Sequence, residues 1–298
     1  MTIKFYIKNI CYLMLLTVLI LPVFASQQNI TKIKSGQTVI IPLDLNGKMK
    51  GMPIVNIKIN GQILHLALDT GADNVFIALT PEALNKTNVK TSENIKKNLD
   101  VNGQLYKSRT VKISAIEIGE LLFNNVEVCE ELRNTNDGSE GIIGNKFFDN
   151  FNVLIDYSQS RMILHSNTTL PSDLDLNQWL KIPFIHESIG IIIEGLLEKQ
   201  KKTLRFCLDS GAVAVNEKEK PFDLLKLNSL ILKNQVNDAK TYSDNIIINK
   251  KNIGLMDFYL LDFIQPDVDG FLGYGFLSKY KIFIDFPKQI IYIKSNNL

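Results

Sequence analysis

The chain has 298 residues, 45% of them hydrophobic, with a formal net charge of +2. That is enough apolar content for two medium domains or one large one. Lys4 and Lys8 make up the excess, because residues 1–25 hold no Asp or Glu. The remainder is balanced, which argues against nucleic acid as the main partner, since that would need a basic surface to displace counterions.

Lys4 and Lys8 precede an apolar run from Ile10 to Leu21 broken only by Thr17, and Val23-Phe24-Ala25 comes next as a cleavage site. Residues 1–25 read as a signal peptide. The run is short for a bilayer span of about 20 residues, so an uncleaved anchor is the weaker alternative. The expectation is a periplasmic or secreted protein with no stable membrane insertion after cleavage. Cys129 and Cys207 then remain. Export permits a disulfide, but the two fall in different halves and read better as buried small hydrophobes. The sequons at Asn29, Asn85 and Asn167 matter only in a eukaryotic secretory pathway.

From Pro53 to Ile59 apolar and polar residues alternate, with Val55, Ile57 and Ile59 on one face, as in a half-buried strand. Asn60-Gly61 is a hairpin turn that needs positive φ at both positions, and Gln62–Leu68 returns into Asp69. Short helices are expected at Pro81–Asn85, at Gly144–Asp149 with its later counterpart, and at Pro221–Lys226. Val153–Asp156 and Arg161–His165 form a hairpin, and Ser166–Leu180 reads as a linker, with Trp179 opening the packing of the second half. In that half Ile191–Leu197 and Thr203–Leu208 flank a charged turn at Glu198–Lys202, expected to be solvated. Ile282–Asp285 and Ile290–Lys294 close the chain as a last hairpin.

These halves are copies. Ile41-Pro42-Leu43 recurs as Ile182-Pro183-Phe184, Asp69-Thr70-Gly71 as Asp209-Ser210-Gly211, and Glu140-Gly141-Ile142-Ile143-Gly144 as Asp269-Gly270-Phe271-Leu272-Gly273. Phe147–Tyr157 recurs as Phe276–Phe286. The order is constant, and the second copy is shorter between its Asp motif and its Gly motif.

Each copy places an aspartate directly after an apolar strand, which is costly unless the fold uses it. Two carboxylates brought together by pseudo-symmetry share one proton, because like charges a few ångströms apart cannot both ionise. The ionised member takes a proton from a water, and the protonated member donates to a carbonyl oxygen. Thr70 and Ser210 can fix the loops by hydrogen bonds, while Gly71 and Gly211 allow tight turns with amides aimed at the carboxylates.

On these motifs, Asp69-Thr70-Gly71-Ala72-Asp73 and Asp209-Ser210-Gly211-Ala212, each completed by apolar-apolar-Gly, residues 40 to 294 resemble a bilobal aspartic peptidase. It is built from two retropepsin-like units fused in one chain. The resemblance implies an all-β fold of two pseudo-symmetric β-barrel lobes with few short helices and a central cleft. The N-terminal lobe, with its flap, would take residues 26–165, the linker 166–180 and the C-terminal lobe 181–298. It implies an endopeptidase with Asp69 and Asp209 as the catalytic pair, supported by Thr70, Gly71, Ser210 and Gly211. It also implies a flap, for which Asn102, Gly103, Gln104 and Tyr106 are the candidates; the second unit has no clear equivalent. No metal or organic cofactor is expected. The partner is a peptide or protein substrate, bound as an added strand by a monomer.

One departure stands out: Val213 takes the position that Asp73 holds in the first unit. It motivates the alternative of a catalytically degraded, peptide-binding protein. Pairing of first units between two chains is a third reading. Asp156 and Asp285 read as turn-capping residues. His65, His165 and His186 lack metal-ligand spacing, and the runs Glu127–Glu131 and Lys199–Lys202 read as solvated surface. Gly270-Phe271-Leu272-Gly273-Tyr274-Gly275 lacks the strand–helix context of a nucleotide loop.

Overall fold

The structure is a computed structural model. It describes residues 29–296 apart from 31–32, 35–36, 73–74, 91–94, 100–104, 131–137, 169, 172–173, 188–189, 239, 264 and 266. The expected signal segment, Asp73 and the flap-tip candidates Asn102, Gly103 and Gln104 lie outside the described residues.

The alternation in Ile54–Ile59 is realised as expected, with Val55, Ile57 and Ile59 buried and Asn56 and Lys58 exposed. Asn60 and Gly61 have φ of 49° and 79°, so the turn folds Gln62–Leu68 back in full register, from Ile59↔Gln62 to Ile54↔Ala67. The first unit builds an eight-stranded sheet in the order 29–30, 121–130, 77–79, 141–143, 62–68, 54–59, 105–118, 95–99. The second unit repeats the plan with Gly190–Leu197, Lys202–Leu208, Gly270–Leu272, Pro221–Lys226, Lys251–Leu261 and Thr241–Ile248.

The closing hairpins leave their own units and join in one six-stranded sheet. Its order is Leu180–Pro183, Ile290–Ser295, Tyr280–Asp285, Phe151–Asp156, Arg161–Ser166, Thr38–Pro42. At its centre Leu154 pairs with Phe283, its repeat equivalent, and Val153 and Ile155 pair with Ile284 and Ile282. Equivalent residues face each other where a pseudo-two-fold axis passes between them. Strands buried on both faces read as continuous apolar runs, and every residue of Phe151–Asp156 is buried. Leu176 and Trp179 lie beneath this sheet with Phe283 and Tyr292, so the end of the expected linker packs into the core.

Several expectations change. Pro221–Lys226 is a strand, parallel to Lys251–Leu261 and antiparallel to Gly270–Leu272. Its buried Phe222, Asp223, Leu224 and Leu225 find backbone partners on both sides, and tertiary pairing overrides local propensity. Gly144–Asp149 is a 3-10 helix at Asn145–Asn150, and its counterpart is the helix Tyr274–Leu277. The turn after Leu197 is not wholly solvated. Gln200 is buried, accepting from the amides of Ile231 and Leu232 and donating to the Tyr242 hydroxyl. Within Glu127–Glu131, Glu130 is buried against Arg109 at 3.5 Å.

The length difference between copies is also redistributed. Ala214–Val215 folds back on Pro221–Phe222, so the second unit is longer between its aspartate and the strand Pro221–Lys226 than the first unit is before the equivalent strand Ile77–Leu79. It is shorter where the first unit carries the hairpin of Ile95–Leu99 with Leu105–Ile118.

Candidate active site

Asp69 and Asp209 end the strands Gln62–Leu68 and Lys202–Leu208. Each strand lies parallel to the apolar-apolar-Gly element of its own unit: Ala67 and Leu68 against Ile142 and Ile143, Cys207 and Leu208 against Phe271 and Leu272. Each aspartate amide then donates across that pair, Asp69 to Ile143 and Asp209 to Leu272, both at 2.9 Å. The glycine next in the chain packs under the loop. A Cβ on Gly273 would stand 2.0 Å from the Ala212 carbonyl oxygen, and one on Gly144 would stand 2.6 Å from that of Ala72. No larger residue fits there, which is the physical reason for the spacing seen in both repeats.

The two loops are tied to each other. Thr70 Oγ1 donates to the Leu208 carbonyl at 2.9 Å and accepts from the Ser210 amide at 2.9 Å. Ser210 Oγ donates to the Leu68 carbonyl at 2.6 Å and accepts from the Thr70 amide at 3.0 Å. Asp69 Oδ1 accepts from the amides of Gly71 and Ala72, both at 3.0 Å, and Asp209 Oδ1 from Gly211 at 2.8 Å. The hydroxyls of Thr70 and Ser210 thus join the loops, and the amides of Gly71 and Gly211 reach the carboxyls, with one refinement. Gly71 and Gly211 are absent from the positive-φ glycines, and at Gly211 what matters is space. A Cβ there would approach Asp69 Cγ to 2.7 Å.

Both aspartates are 0% exposed. Burial first, then the charge and hydrogen bond of Asp69, push the Asp209 carboxyl well above the usual carboxylate range, against the pull of the Gly211 and Ala212 amides. A neighbouring carboxyl opposes ionisation of its partner, in the same direction as burial.

Three neighbours carry roles that the sequence did not disclose. Val213 sits in an apolar cluster with Met52, Ala67, Ala72, Val75, Ala78 and Ile142 of the first unit. The residue that breaks the repeat pattern is therefore packed across the interface between units. Tyr157, at the turn of the first closing hairpin, is buried. Its phenol is raised chiefly by burial and further by the charges of Asp209 and Tyr274. Its repeat equivalent is Phe286, so a hydroxyl present on one side only was the available signal. Asp223 is fully buried, with Oδ1 accepting from Gly273 and Phe276.

Of the flap candidates, Tyr106 lies on the strand Leu105–Ile118 and pairs with Asn98. Asp156 accepts from the Gln159 amide and the Ser158 hydroxyl, and Asp285 accepts from the Lys288 amide and ammonium, both as turn caps. His65 meets Asn56, and His186 reaches across to Asn145 at 3.0 Å. Cys129 and Cys207 are not bonded to each other.

Residues 55–150 match the family model described as gag-polyprotein putative aspartyl protease. Nothing among the curated protein sequences matches the chain. Two solved structures are similar in fold. The aspartic proteinase from Irpex lacteus is 11% identical, with a TM-score of 0.62 over 87% of this chain and 97% of that one. Basic 7S globulin from soybean is 10% identical, with a TM-score of 0.57 over 87% and 95%. The chain has the two-lobed fold of the aspartic proteinases, and its first unit matches the gag-polyprotein putative aspartyl protease family.

Proposed function

We propose that the protein is an exported aspartic endopeptidase in which Asp69 and Asp209 form the catalytic dyad. The observation that carries this reading is the junction of the two loops: two buried carboxyls, Asp209 raised by burial and then by Asp69, on backbones locked together by Thr70 and Ser210.

Asp209 holds the shared proton and Asp69 is the ionised partner. A water between them loses a proton to Asp69 as it attacks the scissile carbonyl, and Asp209 donates to that carbonyl oxygen. When the tetrahedral intermediate collapses, the C–N bond breaks, the proton on Asp69 passes to the leaving amine, and a hydroxyl of the intermediate returns its proton to Asp209. The amides at Gly71, Ala72 and Gly211 fix each carboxyl before reaction, so little reorganisation is needed in the transition state. An extended peptide would lie across the junction as an added strand, covered by the hairpin of Ile95–Leu99 and Leu105–Ile118.

The second reading is a peptide-binding protein without catalysis. It is favoured by one observation: a structure of the same fold is named a globulin, and fold alone does not carry an activity. The test is cleavage of a broad peptide library between pH 3 and 8, with and without a statine-type inhibitor. Inhibitor-sensitive cleavage that disappears in both Asp69→Asn and Asp209→Asn supports the peptidase. Peptide binding with an intact library sinks it.

A further inference from the structure

The two active-site loops stand on different anchors. In the first unit the Gly144 amide donates to a backbone oxygen, that of Phe76, at 3.2 Å. In the second, the equivalent Gly273 amide donates to a side chain, Asp223 Oδ1, at 2.8 Å, and the Phe276 amide joins it at 3.0 Å. By register the first-unit counterpart of Asp223 is Ile77, opposite Ile143. A titratable group therefore supports one loop and an apolar residue the other.

The surroundings of Asp223 do not suit a full negative charge. Oδ1 is used by the two amides, while Oδ2 is buried with no hydrogen-bond partner among the described residues. Gly275 presses against it, so close that a Cβ there would meet Oδ2 at 2.7 Å. Charge on an oxygen without a donor is costly in such a place. A proton on Oδ2 removes that cost and leaves both amide bonds to Oδ1 intact.

The corner it holds leads directly to Asp209. Gly273 lies under the Ala212 carbonyl, the Tyr274 amide donates to that same carbonyl at 3.0 Å, and Leu272 accepts from the Asp209 amide. We propose that Asp223 is a positioning residue for the second active-site loop: protonated, it holds the corner on which Asp209 stands, and ionised, it loosens that corner.

The charged groups facing it act in opposite directions. Lys279, after the helix Tyr274–Leu277, favours ionisation, and Asp257 on Lys251–Leu261 opposes it. Asp257 is itself paired with Lys220 at 3.0 Å and accepts from Ser243 at 2.6 Å. Tyr280, on the strand Tyr280–Asp285, donates to the Ile253 carbonyl, and its phenol is raised by burial and by Asp223. Burial therefore decides, carrying the Asp223 carboxyl up to about 7 against its two amide bonds. Neutral pH is where the corner changes state.

The holding of the loop stands on the geometry above; its consequence for catalysis rests on the peptidase reading. Amide hydrogen exchange of the full protein, followed at pH 5 and pH 8 and corrected for intrinsic rates, separates the two. Protection at Gly273, Tyr274 and Phe276 should fall about tenfold at pH 8, while their first-unit counterparts Gly144, Asn145 and Phe147 hold theirs. In Asp223→Asn the Gly273, Tyr274 and Phe276 amides should no longer respond to this pH change, whatever response Gly211 keeps from its own bond to Asp209. Parallel change in both loops, no change in either, or a wild-type response in Asp223→Asn would overturn the proposal. The wild-type comparison of the two loops decides it even if the variant does not fold. Loop-specific change in a protein that cleaves no peptide sinks the function and keeps the anchor; cleavage without loop-specific change does the reverse.

Discussion

Thr70 and Ser210, equivalent residues of the two repeats, each donate a hydroxyl to the strand of the other unit and each accept the other's amide. Four bonds through two small side chains join the units where the carboxyls meet. The same pseudo-symmetry reappears in the six-stranded sheet, where Leu154 pairs with Phe283. Two interfaces built by equivalent residues fix the relation of the lobes.

Thr70→Val should therefore damage the junction more than its size suggests. It leaves the Ser210 amide unsatisfied in a buried place, at about 1–3 kcal/mol, and the Leu208 carbonyl with only the weak Cys207 thiol as a side-chain donor. Loss of roughly 2–4 kcal/mol is expected in denaturant melts, and a double-mutant cycle with Ser210→Ala should show strong coupling. Additive effects would mean that the bonds act independently.

Replacing either carboxyl should remove the chemistry and keep the fold. Asp69→Asn and Asp209→Asn are each expected to lower kcat by on the order of a thousandfold or more, with near-native circular dichroism. Full activity in Asp209→Asn would rule out a dyad within one chain.

The charge of Asp69 also predicts a titration. Because it raises Asp209, after burial, Asp69→Asn should lower the Asp209 pKa, which carboxyl carbon NMR can follow. In the wild type the raised Asp209 favours the folded state below its unfolded pKa. That contribution is lost as pH rises through the folded value, so the melting temperature should fall toward alkaline pH. Activity, which needs the shared proton, should fall on the same limb.

Gly211 and Gly61 make a paired test of space against backbone freedom. Gly211→Ala drives a methyl to 2.7 Å from Asp69 Cγ; displacement of the carboxyl should abolish cleavage, with about 1–3 kcal/mol of overpacking. Gly61→Ala meets nothing within 4 Å but has φ of +79°. It should cost about 1 kcal/mol of stability and leave kcat unchanged.

Asp156→Asn should affect stability alone. The side chain caps its turn and pairs with Lys281 at 3.2 Å and Arg161 at 3.8 Å. Loss of roughly 1–3 kcal/mol with unaltered kcat is expected; a matching fall in kcat would give Asp156 a part in the chemistry.

The repeat in the sequence determined the two units, their pseudo-symmetry and both aspartate loops. Order and spacing are covalent, and apolar strands, Asn60-Gly61 and the packed glycines act over short range. Which residues face one another across the units came only from tertiary structure. The closing hairpins merge into one sheet through strands that are apolar in either arrangement. Val213 reads as a lost polar support and is found filling an apolar gap against Met52 and Ala72. Pro221–Lys226 reads as a helix until two neighbouring strands claim its backbone, and only that pairing brings Asp223 beneath Gly273. Burial, and with it the raised proton affinity of Asp209 and Asp223, belongs to the assembled interior, because desolvation depends on everything that surrounds a group and not on its neighbours in the chain.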